Sequence, residues 1–159
     1  AFVGEGPYRG ELQKLLPEAI FTGVLAGHEL ATAFASADLF LFPSTTDTFG
    51  HVILEALASG LPCVVSDQGG PKDLIEPGVT GSITRALDAV EFAKAVNALL
   101  ADDARLATMR TAARGAVEAR DWAEARRLRS GSRSTSRKET RWPARCSLPR
   151  PWYDEQPFC

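Results

Sequence analysis

The stretch from Leu39 to Val65 constrains the fold more than any other part of the 159-residue chain. Leu39-Phe40-Leu41-Phe42 is apolar on both faces, the pattern of a central strand in a parallel sheet covered by helices on either side. A polar loop follows, and a helix is expected from about Phe49 to Ser59, where Gly60 and Pro62 supply the stop signal. Cys63-Val64-Val65 then makes the next buried strand. Strand, loop, helix and strand in that order describe a unit of an α/β layer structure.

The same alternation extends to both sides. Phe2-Val3 ends a strand, and Tyr8, Leu12, Leu15 and Leu16 recur at helical spacing. A short strand is expected around Ile20–Thr22, then a helix marked by Leu30, Ala33, Phe34 and Ala37. Pro71 suits the first position of a short helix through Leu74-Ile75. A strand at Ser82–Thr84 leads into one helix carrying Phe92, Ala95, Val96, Leu99 and Leu100 and another carrying Leu106, Met109, Ala113 and Val117. The fold class expected is α/β, a parallel sheet with helices on both faces, over residues 1–122.

Composition separates the rest of the chain. Residues 1–125 hold 9 basic and 17 acidic side chains, net −8, whereas residues 126–159 hold 9 basic and 3 acidic, net +6. After Trp122 the hydrophobic period disappears, so 123–159 reads as a basic, disordered tail, in the manner of an out-of-frame or foreign extension. Its aromatic residues Trp142, Trp152, Tyr153 and Phe158 sit among prolines without a stacking platform, and nucleic-acid binding is not expected. No run approaches the ~20 apolar residues of a membrane span, and Ala1–Val3 leads into Gly4 without signal-peptide regions, so the sequence reads as cytoplasmic. Cys63, Cys146 and Cys159 lack the spacing of a metal or redox motif, and no metal site is expected.

The candidate site lies where the polar loop crosses the carboxyl end of Leu39–Phe42, the position at which open α/β sheets bind ligands. At the expected helix start the N–H groups of Phe49, Gly50 and His51 lack intrahelical partners and are expected to face a phosphate or sugar hydroxyls. Glu55 lies one turn beyond His51 on the same helix face. Among Val52, Ile53, Leu54, Ala56 and Leu57 a buried carboxylate needs donors, and the two hydroxyls of a ribose suit it. Taken singly, Asp47 reads as a helix N-cap, Glu55 as a solvated charge and Thr45-Thr46 as capping hydroxyls. Their joint placement, with Gly69-Gly70 after the next strand, favours a site.

These residues resemble the C-terminal domain of the group 1 retaining glycosyltransferases, a two-Rossmann-domain, GT-B type family. Its signature is two acids separated by seven residues, with Phe-Gly after the first and an Ala-x-Gly-x-Pro-Val-Val strand after the second. Asp47 and Glu55 have that spacing, Phe49-Gly50 is present, and Ala58-Ser59-Gly60-Leu61-Pro62-Cys63-Val64-Val65 follows. The likeness runs from Val3-Gly4-Glu5-Gly6-Pro7 through Phe21-Thr22-Gly23, Ala35-Ser36-Ala37-Asp38 and Gly78-Val79-Thr80-Gly81, and fades near Trp122. The Gly4-Glu5-Gly6 turn superficially suggests a dinucleotide fingerprint, but Arg9 stands in place of its third glycine.

The resemblance implies a nucleotide-sugar-binding, Rossmann-like domain. Glu55 would hold the ribose hydroxyls, and Asp47 with Thr48, Phe49 and Gly50 the donor sugar and its phosphates. His51 would lie beside ribose and phosphate, and Gly23-Val24-Leu25 near the nucleobase. The family's first acid is usually Glu, and Asp47 is one methylene shorter, which moves the sugar contact. The complete enzyme would be a hexosyltransferase working with retention of configuration and no required metal, its acceptor held by a preceding domain, with membrane-peripheral placement left open. An Arg and a Lys that grip the diphosphate precede the strand ending here at Val3, so the polypeptide alone is expected to be inactive in transfer. A nucleotide-sugar epimerase and a remnant that only folds are the alternatives.

Overall fold

Each strand is followed by a helical segment that returns the chain to the same end of the sheet, and among the described residues every strand pair is accordingly parallel. The structure is a computed structural model and describes residues 1–118; the expected tail at 123–159 lies outside the described residues. The elements run β1 (Phe2–Val3), α1 (Arg9–Leu15), β2 (Phe21–Gly23), α2 (Gly27–Ser36), β3 (Phe40–Phe42), α3 (His51–Ala58), β4 (Cys63–Ser66), a 3-10 turn at Pro71–Leu74, β5 (Gly81–Thr84), α4 (Ala89–Leu100) and α5 (Asp103–Glu118). The strands fall into a two-stranded sheet, β1-β2, and a three-stranded sheet, β3-β4-β5.

The core runs through β4, whose residues are all buried. Cys63 and Val65 face one cluster with Ile53, Ala56, Leu57, Leu61 and Ala113, and Val64 faces the other with Leu99 and Met109. That alternation, with α3 on one side and α4 on the other, is the two-sided cover expected of a parallel sheet. Burial pushes the Cys63 thiol up to about 12, so it stays neutral and packs as an apolar group. Helix α4 begins where the Asp88 carboxylate accepts the Glu91 N–H at 2.9 Å, a cap worth about 1 kcal/mol.

Leu39–Phe42 was expected as the central strand, but β3 lies at the edge of its sheet and Leu41 is 46% exposed. A short run apolar on both faces cannot by itself distinguish centre from edge, because only the neighbouring strands decide it. Helix α1 forms as expected but buries no residue, and Tyr8, Leu15 and Leu16 are exposed. Its partner sheet has two short strands and offers little surface to pack against. Among the described residues no helix is long and apolar enough to cross a membrane.

Leu87, in the turn between β5 and α4, has φ of 62° and is 93% exposed, so it holds a left-handed backbone without compensating burial. That conformation costs a residue with a Cβ about 1–2 kcal/mol, and glycine offsets part of the gain through its looser unfolded state. Leu87→Gly is therefore expected to stabilise the chain by about 0.5–1 kcal/mol, read as a rise of a few degrees in thermal melting. A lowered melting temperature would mean that the leucine side chain makes a stabilising contact.

Candidate functional site

The loop between β3 and α3 is organised by one side chain. Asp47 Oδ1 accepts the N–H of Phe49 at 2.9 Å and that of Gly50 at 2.6 Å. Gly50 is the N-cap of α3 in the left-handed region, φ 74°, so the helix begins at His51 and not at Phe49. This corrects the expectation that the N–H groups of Phe49 and Gly50 face a ligand, since Asp47 already takes both. The N-cap role weighed for Asp47 by itself is close to what it does, although it caps the turn before the helix. Asp47 Oδ2 accepts no hydrogen bond among the described residues, and the N–H of His51 has no backbone acceptor.

The loop after β4 closes against this turn from the other side. The Gly70 N–H donates to the Asp47 carbonyl at 3.0 Å. A Cβ on Gly69 would overlap that same carbonyl oxygen, and one on Gly70 would overlap the carbonyl oxygen of Thr48. A Cβ on Gly50 would sit 3.2 Å from Pro71 Cα. Backbone packs on backbone here, and the glycines are needed for that close approach. Gly69-Gly70 is visible in the sequence and Pro71 suits a helix start, but the contact of Pro71 with Gly50 has no local signature.

Helix α3 turns Ile53, Ala56 and Leu57 into the core. His51 and Glu55 are exposed and lie a turn apart on the opposite face. The Glu55 carboxylate has no hydrogen-bond or ion-pair partner among the described residues, and its burial among apolar neighbours, expected from the sequence, does not occur. The cost of burying a charge therefore gives no argument for a ligand at Glu55. Phe49, 54% exposed, packs its ring on that of His51 with centroids 4.2 Å apart. Thr48 is also exposed, so Thr48, Phe49, His51 and Glu55 all reach the surface in the segment that follows β3.

Gly23, Val24 and Leu25 lie at the end of β2, on the other sheet. Gly23 has φ of 76°, and a Cβ there would approach Glu5 Oε1 at 3.2 Å. Glu5 pairs with Arg9, which also donates to the Phe21 carbonyl at 3.2 Å, and that hydrogen bond ties α1 to β2. Val24 is 73% exposed and unobstructed. No group of three or more His, Cys, Asp or Glu side chains suited to a metal ion occurs among the described residues. A cavity of about 650 Å³ lies instead at the far end of α3, between Ser59-Gly60 and Arg110. Its charges are already matched, Arg110 to Asp38 and Arg114 to Glu118.

Parallel strands covered by helices, with a glycine-locked turn at their carboxyl ends, define a Rossmann-like α/β domain. Residues 1–102 match the family described as glycosyl transferases group 1, and the chain belongs to that family. It is similar to the GDP-mannose-dependent alpha-mannosyltransferase of Corynebacterium glutamicum, 44% identical over 76% of this chain and 29% of the relative. The sulfoquinovosyl transferase SQD2 of Arabidopsis thaliana is 41% identical over 77% of this chain and 25% of its own length. Among solved structures, Anabaena Alr3699/HepE in complex with UDP superposes with a TM-score of 0.68 at 28% identity, covering 80% of this chain and 40% of that one. The chain thus spans less than a third of the two relatives and under half of that structure.

Proposed function

We propose that this chain is the donor-binding domain of a retaining hexosyltransferase that takes a nucleoside-diphosphate sugar. The observation that carries the reading is the locked turn: Asp47 and Gly70 fix residues 47–50, leaving the His51 N–H and the second Asp47 oxygen open at the start of α3, with the Glu55 carboxylate open one turn further along it. Glu55 accepts from the ribose diol. Asp47 Oδ2 accepts from a sugar hydroxyl, with Thr48 and the Phe49-Gly50 backbone shaping the sugar's seat, and His51 lies at the ribose and phosphate. The nucleobase extends toward Gly23-Val24-Leu25.

In this reading the chemical task is to stabilise charge on the departing nucleoside diphosphate with positioned donors and cations, for which no resident metal is needed. The acceptor is held by a preceding domain, and the work is done in the cytoplasm. GDP-mannose is the donor to test first, because relatives 44% identical carry the name GDP-mannose-dependent alpha-mannosyltransferase. The epimerase alternative gains no support from any named relative.

Titrating the 159-residue chain with GDP, GDP-mannose, UDP and UDP-glucose tests this. Saturable shifts of the His51 to Glu55 amides are expected, at lower concentration for the guanosine pair. A chain that is folded yet silent at those amides with all four compounds would retire the reading.

A further inference from the structure

The structure assigns Ser66 a positioning role for the Asp47 turn, which rests on the donor-site reading above for its consequence but not for its geometry. The β3-β4 ladder ends at the pair Phe42↔Val65. The next residue of β3's path is Pro43, which has no N–H to offer a ladder. Beyond this point the loop that carries Asp47 has left the sheet, and something else must set its height over β4.

Ser66, the last residue of β4, is 2% exposed, and its hydroxyl donates to the Ser44 carbonyl at 2.6 Å, with the Gln68 carbonyl a second acceptor at 3.2 Å. A hydroxyl has one proton, and the shorter contact takes most of it. Three residues on from Ser44, the Gly70 N–H holds the Asp47 carbonyl at 3.0 Å. The turn is thus tied twice to the segment 66–70, once at each end, and the absence of side chains at Gly69 and Gly70 lets the two ties act together. Removing the Ser66 hydroxyl releases the Ser44 end, leaving the Asp47 carboxylate attached to a turn fixed at one point only.

A second buried hydroxyl supplies the comparison. Thr84, 1% exposed in β5, donates to the Val65 carbonyl at 3.1 Å. That bond lies within the sheet and does not reach the Asp47 turn, so its loss should affect stability alone.

The test compares Ser66→Thr with Ser66→Val, side chains of the same shape that differ by the hydroxyl, alongside Thr84→Val. Amide hydrogen exchange is read at Gly50 and Gly70, and at Val64 for the core, and GDP affinity is read by titration. In Ser66→Val the Gly50 and Gly70 amides should exchange about tenfold faster than any change at Val64 accounts for, and GDP should bind about tenfold more weakly, since each tie is one hydrogen bond. Ser66→Thr should keep both within about threefold of wild type. Thr84→Val should change Gly50 and Gly70 only in step with Val64. The assignment is overturned if Ser66→Val matches Ser66→Thr in turn exchange, if its turn loosens only in step with the core, or if Thr84→Val loosens the turn equally. Should the wild-type chain bind none of GDP, GDP-mannose, UDP and UDP-glucose, the donor reading fails by itself, and the exchange comparison still decides the tie.

Discussion

Gly81→Ala is expected to lower the melting temperature of the chain by roughly 10–20 °C. Gly81 opens β5 and pairs with Cys63 of β4. A Cβ at Gly81 would overlap the Cys63 carbonyl oxygen and crowd the rest of that peptide. Relief requires β5 to move away from β4, and β4 is the strand around which both core clusters are built. Overpacking of this kind typically costs about 1–3 kcal/mol. Here rigid backbone sits on both sides of the clash, and the cost should reach or pass the upper end. Gly115→Ala is the control: it lies within α5 with open space around its Cβ and should stabilise by about 0.5–1 kcal/mol. Paired thermal melts decide the matter, and a Gly81→Ala chain that melts within a few degrees of wild type would show that the two strands do not pack so closely.

Replacing Glu55 with Ala is expected to weaken nucleotide binding about ten- to a hundredfold while leaving the melting temperature unchanged. A hydrogen bond to a charged group is worth about 1.5–3 kcal/mol, which sets that range. The exposed position of Glu55 argues for the lower end, because a solvated carboxylate must lose water before it can accept the ribose hydroxyls. The same exposure keeps stability out of the result, since no partner is left unsatisfied in the free chain. Glu55→Gln should recover part of the loss by keeping the shape and one acceptor. GDP affinity within twofold of wild type in Glu55→Ala would remove Glu55 from the site.

Local pattern was enough wherever one element's own residues decide its state. The apolar run Cys63–Val65 and the stop at Gly60 and Pro62 placed β4 and the end of α3 to within a residue. The strand expected at Ile20–Thr22 appears one residue later, at Phe21–Gly23, a shift that pairing with β1 determines. The Asp47 and Glu55 spacing was equally visible and was enough to suggest the family. Their environments were not visible: a carboxylate between apolar residues on a helix is buried or exposed according to which face meets the sheet. In α3 that face is Ile53, Ala56 and Leu57, which turns Glu55 outward.

From its sequence alone this chain declares an alternation of strands and helices, the acidic pair with its Phe-Gly, and the glycines at 69 and 70, because each depends on periodicity and residue type along a few consecutive positions. Only the tertiary structure decides that β3 lies at an edge and β4 at the centre, and that Ser66 and Gly70 hold the Asp47 turn from across the sheet. Those facts are contacts between segments some twenty residues apart, set by strand order and by how closely two backbones approach, and no local pattern encodes either.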